Sequence, residues 1–151
     1  MNITRYTDYS LRILIYLAVH REGLCTISEI ADSYGISKNH LMKIVQELNA
    51  RGYIQAVRGK NGGLRLKQEP VEINIGKLVR ETEDESRMVE CFGSNNQCVI
   101  TPACQLKVIL GRALESFFAT LEEYTLEDLV GGGQGPVLAE LLDIKDAARN
   151  K

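Results

Sequence analysis

Between Ser28 and Arg51 the chain carries two runs of helical apolar periodicity, broken only at Ser33-Tyr34-Gly35. Two amphipathic helices joined by so short a break must pack against each other, and that constrains the fold more than any other stretch. The first run places Ile27, Ile30 and Ala31 on its inner side, with Thr26 or Ser28 as its cap, and stops at Gly35. The second starts after Ser37 and reaches Arg51, with Leu41, Ile44, Val45 and Leu48 at i, i+3, i+4 and i+7. Its other face carries Lys38, Asn39, His40, Lys43 and Gln46. Helix, tight turn and helix form the helix-turn-helix signature, in which the second helix lays its N-terminal side chains in the major groove.

A hairpin follows. Tyr53-Ile54-Gln55-Ala56-Val57 and Gly63-Leu64-Arg65-Leu66 alternate as two strands, joined by Arg58-Gly59-Lys60-Asn61-Gly62, whose Asn-Gly step favours a tight turn. This reads as a wing: its glycines let the backbone approach a phosphate or a groove wall, and Arg58, Lys60 and Asn61 offer charge and donors. The charge pattern agrees. From Ser37 to Lys67 seven basic residues face Glu47 alone, a net of +6 in a chain whose formal charge is -2. A solvated surface is normally mixed in sign, and this block is not. Double-stranded DNA is therefore the expected partner, met by Ser37, Lys38, Asn39, His40 and Lys43 on the helix and by Arg58, Lys60 and Asn61 on the wing.

The flanking segments predict more helix. Leu11, Leu14, Ile15 and Ala18 recur at helical spacing from about Thr4 to His20, with Thr7-Asp8 as capping and dipole-favourable groups and Arg21-Glu22-Gly23 as the stop. After Pro70, the residues Ile73, Ile75, Leu78 and Val79 suggest a short helix to Arg80, followed by a solvated acidic loop over Glu81-Thr82-Glu83-Asp84-Glu85. From Pro102 a long helix is expected to about Tyr124, with Leu106, Ile109, Leu110, Ala113, Phe117 and Leu121 apolar. A small winged helix cannot cover so long a stripe, so it is read as the seam of a homodimer, whose two-fold symmetry would match a two-fold operator. Leu126 to Val130 extends or follows it, Gly131-Gly132-Gly133 breaks it, Pro136 to Leu142 forms a last short helix, and the tail from Lys145 to Lys151 frays. No internal repeat is found. The expected fold is mainly α with a small β-wing: a winged helix-turn-helix domain over residues 1–80, a cysteine cluster-binding loop over 81–104, and a dimerisation helix with its tail over 105–151.

Cysteine usage narrows the chemistry. The apolar run from Leu11 to Val19 is interrupted by Arg12, is too short to span a bilayer and lacks a basic leader, so the cytosol is the expected compartment and a membrane is not a partner. In a reducing cytosol four cysteines argue for metal or redox chemistry, with Cys25 a packing residue. Cys91, Cys98 and Cys104 fall within fourteen residues rich in Gly, Asn and Ser, able to turn three sulfurs toward one point. Taken alone, this spacing admits a soft-metal site, a disulfide with a spare thiol, an inert apolar set or a zinc knuckle; the CxxC pairs of a zinc ribbon and the CxxCH of a c-type haem are absent. An iron–sulfur cluster normally takes four protein donors, so three cysteines leave one position open. The sequence has no Gly-rich cofactor fingerprint and no catalytic acid–base set, and an enzyme is not expected.

The segment Thr7-Asp8-Tyr9-Ser10-Leu11-Arg12, the helix-turn-helix, the wing Val57-Arg58-Gly59-Lys60-Asn61-Gly62-Gly63 and three cysteines ahead of a long helix together resemble the NsrR/IscR family of winged-helix iron–sulfur repressors, over nearly the whole chain. Ile100-Thr101-Pro102-Ala103-Cys104 and Tyr124-Thr125-Leu126-Glu127-Asp128-Leu129-Val130 resemble its nitric-oxide-sensing branch most. The resemblance implies an iron–sulfur cluster on Cys91, Cys98 and Cys104, with Asp8 of the partner subunit as fourth donor. Residue physics alone reads Asp8 as a helix-start carboxylate. Three cysteines and one oxygen suit a 4Fe-4S cluster, with 2Fe-2S as the alternative. The cluster-biogenesis branch has a histidine three residues after the last cysteine; here Lys107 stands there, and an ammonium has no lone pair to give. His40 sits on the recognition helix and His20 ends the first helix, so neither replaces it. The implied function is a DNA-binding repressor whose operator affinity is set by a cluster that reacts with nitric oxide; the alternative is a zinc- or thiol-dependent winged-helix redox regulator without iron.

Overall fold

The computed structural model describes residues 2–144; the tail from Lys145 to Lys151, expected to fray, lies outside the described residues. Two compact units are present, one built from the residues up to Thr7 with Asn74–Tyr124, the other from Asp8–Ile73 with the residues from Thr125 onward. Helix α1 spans Arg5–Val19. Its cap is Thr4, whose hydroxyl oxygen accepts the Thr7 N–H at 3.2 Å, because Thr4 stands at the N-cap spacing from the third helical residue. Asp8 is the acidic residue of the first turn, the dipole-favourable place expected, and pairs with Arg12; Thr7 is not the cap, and its buried hydroxyl shares a hydrogen bond with that of Thr82 at 2.8 Å.

In the Asp8–Ile73 unit, α1 buries Ile13, Leu14 and Leu17, and α2 (Ile27–Tyr34) adds Ile30 and Ala31. The cap of α2 is Thr26: its side chain accepts from the Glu29 N–H, and the Glu29 carboxylate accepts from the Thr26 N–H, a reciprocal box that Ser28 could not close. Gly35 ends the helix at φ +67°. Helix α3 (Lys38–Ala50) buries Leu41, Ile44, Val45 and Leu48, the four positions its period predicts. Strands β1 (Ile54–Val57) and β2 (Gly63–Leu66) pair antiparallel in the register Ile54↔Leu66 to Val57↔Gly63. Cys25 joins their edge, exchanging two backbone hydrogen bonds with Leu64 at 3.0 and 2.7 Å.

The wing loop has the expected limits, but its turn centres on Lys60-Asn61 rather than on the Asn-Gly step. The register leaves residues 58–62 as the loop, the left-handed residue is Gly59 at φ +111°, and the Gly62 N–H donates to the Gly59 carbonyl at 3.0 Å. Gly62 is required for closeness rather than for φ, since a Cβ there would lie 2.1 Å from the Val57 carbonyl oxygen. The unit is completed by α6 (Leu126–Val130) and α7 (Gln134–Leu141), with the Leu126 N–H donating to the Ile73 carbonyl at 2.9 Å. Helix α7 starts two residues ahead of Pro136, which the first helical turn tolerates.

The other unit holds α4 (Ile75–Thr82) and α5 (Gln105–Leu121). Helix α4 runs two residues beyond the expected end, so Glu81 and Thr82 are helical and the acidic run is only partly a loop. Glu83 is engaged too, its carboxylate accepting the Thr4 N–H at 2.7 Å and the Thr4 hydroxyl at 3.1 Å, while Asp84 and Glu85 are exposed. Pro102 does not open α5. It lies in a separate 3-10 turn, Thr101–Ala103, and extended backbone at Cys104 delays the helix to Gln105. Where α4 meets α5, Gly76 lies against the Glu122 backbone, and Arg80 ties to Glu115 at 2.6 Å, to Glu122, and to the face of Phe118 at 4.5 Å. Phe118 is the one residue of α5 that is fully buried.

A Cβ at Gly76 would fall 2.4 Å from the Glu122 nitrogen and 2.6 Å from its Cα, backbone atoms that cannot step aside. Gly76→Ala is therefore expected to destabilise the protein by about 1–3 kcal/mol, read as a lower urea midpoint. The hydrogen bond from Arg80 holds the Glu115 carboxyl below the usual carboxylate range. Its contribution is present above that range and is lost as pH falls through the folded-state value, so Glu115→Gln should flatten the acid limb of the stability profile.

Candidate functional site

The cysteine-bearing segment between α4 and α5 contains only short 3-10 turns, at Glu85–Arg87, Glu90–Phe92 and Thr101–Ala103. Small polar side chains shape it. Asn96 accepts the Cys98 N–H at 3.0 Å and donates to the Thr101 hydroxyl at 2.8 Å, while Thr101 in turn donates to the Cys98 carbonyl at 2.8 Å. The Gln97 N–H reaches the Glu90 carboxylate at 3.3 Å. Cys91 lies within the second turn, Cys98 on the Asn96–Thr101 bend and Cys104 at the N-cap of α5.

All four thiols are free. Cys98 is exposed and Cys91 and Cys104 half-buried, whereas Cys25 is wholly buried, the packing residue its isolation predicted. No disulfide joins them in this structure, and the exposure of Cys98 sets it apart from a core residue. Among the described residues no three His, Cys, Asp or Glu side chains are gathered closely enough to hold a metal ion, so the three sulfurs do not converge here. The donor chemistry nonetheless fits a soft metal or an iron–sulfur cluster: three accessible thiols on turns that no sheet ladder or core packing holds in place.

Asp8 stands on α1, in the unit that does not contain these cysteines. Both its oxygens are taken by Arg12, Nε to Oδ1 at 3.1 Å and Nη2 to Oδ2 at 3.0 Å. The Arg12 guanidinium also lies over the rings of Tyr9 and Tyr34, at 5.4 and 5.7 Å. The Tyr34 hydroxyl, pushed up to about 12 by burial, donates to the Arg12 carbonyl at 2.8 Å. His20 stacks on Tyr16 at the end of α1, and His40 projects from α3 as an exposed residue.

The nucleic-acid face is better defined. Ser37, Lys38, Asn39, His40 and Lys43 are all exposed at the N-terminal half of α3, opposite its buried stripe, and Arg58, Lys60 and Asn61 are exposed on the wing loop. Among the described residues none of the eight is drawn into an internal ion pair, whereas Arg12, Arg21, Arg51 and Arg80 each pair with a carboxylate. Ser37 adopts the N-cap conformation without a side-chain cap bond, so its hydroxyl remains available. Sequence reasoning missed Asn49, whose Oδ1 accepts the Ala56 N–H at 3.0 Å and ties α3 to β1, and Gln68, whose amide donates to the Gly52 carbonyl at 2.8 Å. Both read in sequence as ordinary solvated polar residues.

The model of the Rrf2 family, described as "Iron-dependent Transcriptional regulator", matches residues 3–132. The HTH-type transcriptional regulator NsrR of Bacillus subtilis (strain 168) is 50% identical over 148 residues, spanning 97% of this chain and 100% of that protein. Among solved structures, IscR of T. potens superposes with a TM-score of 0.68 at 25% identity over 86% of each chain. The oxidised form of CymR from Staphylococcus aureus gives 0.69 at 27% identity, over 87% of this chain and 98% of that one. Their fold matches the winged-helix reading, and the class they are named for is regulatory, not enzymatic.

The exposure pattern makes a direct prediction about thiol reactivity. In the metal-free native protein a small thiol reagent should modify Cys98 first and Cys91 and Cys104 more slowly, and should reach Cys25 only on unfolding. Peptide mapping of a labelling time course checks it; early modification of Cys25 would contradict the core assignment.

Proposed function

The chain belongs to the Rrf2 family of iron-dependent transcriptional regulators, and from that premise we propose that it is a dimeric cytosolic repressor whose hold on operator DNA depends on an iron–sulfur cluster sensitive to nitric oxide. The observation that carries this reading is the contrast among the cysteines: three accessible free thiols on successive turns ahead of α5, and the fourth sealed in the core. Cys91, Cys98 and Cys104 would hold the cluster, with Asp8 of the partner subunit as fourth donor, and the three-sulfur, one-oxygen set suits 4Fe-4S better than 2Fe-2S. When bound, the cluster supplies iron with which nitric oxide reacts. Each Asp8 oxygen accepts one hydrogen bond from Arg12 and keeps a lone pair, so Arg12 could orient the carboxylate as it serves as a donor. Of the α5 stripe Leu106, Ile109, Leu110, Ala113, Phe117 and Leu121, Leu106 and Ile109 are more than half exposed, and this stripe is the proposed dimer seam. On this reading residues 1–80 bind DNA, 81–104 hold the cluster and 105–151 carry the dimer contact.

The operator would be read by Ser37, Lys38, Asn39, His40 and Lys43 in the major groove and gripped by Arg58, Lys60 and Asn61 at the wing. A coupling of roughly 1–3 kcal/mol between the cluster and DNA-binding states is enough for a 5–150-fold change in affinity. The test begins with protein purified without oxygen. Broad visible absorption with about four iron and four sulfide per chain is expected, and nitric oxide should then release operator DNA. A colourless protein that takes up neither iron nor sulfide on anaerobic reconstitution would sink the cluster and leave the zinc or bare-thiol regulator.

The DNA face is tested separately. Lys43→Ala and Lys60→Ala should each weaken binding and lower the slope of log affinity against log salt by about one unit per half-site. An unchanged slope removes that residue from the interface.

A further inference from the structure

The basic block contains three cations outside the contact set above: Arg51, Arg65 and Lys67. Arg51 lies beside Glu47 at 4.0 Å. Arg65 is held otherwise. Its Nε donates to the Oε1 of Gln55 at 3.0 Å, and the two residues face each other directly across the β1–β2 ladder, both exposed. Arg12, Arg21 and Arg80 are held by carboxylates, which cancel charge as they orient it; Arg65 is held by a neutral amide, which orients without cancelling. A surface arginine serving stability alone would gain more from an acid opposite it.

The surroundings preserve that charge. No Asp or Glu occurs from Arg51 to Gln68, and Lys67, just past the end of β2 with its N–H bound to the Tyr53 carbonyl at 3.0 Å, is exposed two residues from Arg65. With Nε fixed by Gln55, the two terminal nitrogens of Arg65 remain as a planar fork, the geometry that matches two oxygens of a phosphate. The pair is also rigidly placed, because the residue after Gln55 is Ala56, whose N–H is bound by Asn49 of the recognition helix.

We propose that Arg65, oriented by Gln55, is a phosphate contact in the DNA complex, with Lys67, two residues on, as a second cation, so that the wing grips the duplex along β2 as well as through its loop. Gln55 is then a positioning residue. The proposal rests on the DNA-binding reading above and extends the contact surface from the loop to the strand.

The experiment uses the full chain and a duplex enriched by the wild-type protein from a random pool, with affinity measured by fluorescence anisotropy across a series of salt concentrations and folding checked by thermal melts. Arg65→Gln is expected to weaken binding about tenfold and to lower the salt slope by about one unit per half-site. Arg65→Lys should keep the slope yet bind several-fold more weakly, because an ammonium has no fork. Gln55→Ala should also keep the slope while losing affinity, a result that a purely structural role would not produce without a lower melting temperature. Arg65→Gln with the wild-type slope overturns the proposal, provided Lys60→Ala lowers it; Arg65→Lys binding as tightly as wild type overturns the role of Gln55 in holding a fork. If the wild-type protein enriches no duplex and shows no salt-dependent binding, it is the DNA-binding reading that fails.

Discussion

In the unit that carries the cysteines, one side chain joins most of the elements that meet α5. Helix α5 has seventeen residues and buries Phe118 fully, with Leu110, Leu114, Phe117 and Leu121 half-buried beside it. Arg80, near the end of α4, reinforces that stripe. It binds Glu115 and Glu122 on α5, lies near Glu85 at the start of the cysteine-bearing segment, and covers the face of Phe118. Single exposed ion pairs are worth little, but a guanidinium shared by several carboxylates and an aromatic face is a network, and its geometry is fixed by the close approach that Gly76 permits. The mutual hydrogen bonds shift both partners in the consistent direction, Arg80 upward and Glu115 downward.

A helix packed along one side leaves part of its apolar surface exposed. Leu106, Val108 and Ile109 are exposed at 59, 54 and 59%, and Val99 and Ile100 in the preceding loop at 91 and 60%. Apolar surface of this extent beside three accessible thiols is what a two-fold assembly would be expected to cover, and the proposed fourth donor from a partner subunit requires the same assembly. The two proposals thus lean on one physical fact, the small share of α5 that its own unit buries.

How much of this was legible in the sequence differs by element. Helix α3 and its exposed basic face were legible because a packed inner stripe forces the remaining residues outward, and the period of Leu41, Ile44, Val45 and Leu48 carries that information locally. The wing strands and their five-residue connection were legible by alternation, but the turn within it was not: its shape is set by Gly59 and by the space Gly62 leaves for the Val57 carbonyl, not by an Asn61-Gly62 centre. Caps were legible as candidates and not as choices: Thr26 wins through Glu29 three residues on, a T-x-x-E pattern that the sequence carries, whereas the Thr4 backbone N–H is bound by the distant Glu83. The engagement of Glu83 and Thr82 depended on residues 75 or more positions away, beyond any local pattern. At the site, cysteine spacing separated three thiols from Cys25, and the exposures agree with that separation. The Asp8–Arg12 pair is an i,i+4 contact on a helix and could have been expected from spacing; the role of Asp8 as a donor came from resemblance alone.

The two functional surfaces are built with opposite stiffness, and that contrast suits the proposed switch. Reading DNA requires side chains held to a fixed spacing: α3 has a fully packed inner face, Asn49 clamps it to β1, and the ladder aligns Gln55 with Arg65. Closing around a cluster requires the reverse, because the three sulfurs are apart in this structure and must be drawn together. The segment that carries them is held by single hydrogen bonds from Asn96, Thr101 and Glu90, each made by a short turn that can be remade at small cost. A rigid loop would either exclude the cluster or hold it with no response to its loss. On the proposed reading, a deformable loop entering a helix held by Phe118 and Arg80 would let binding energy at the thiols appear as a change in structure, and a ligand with differential affinity for two arrangements is all that population shift requires.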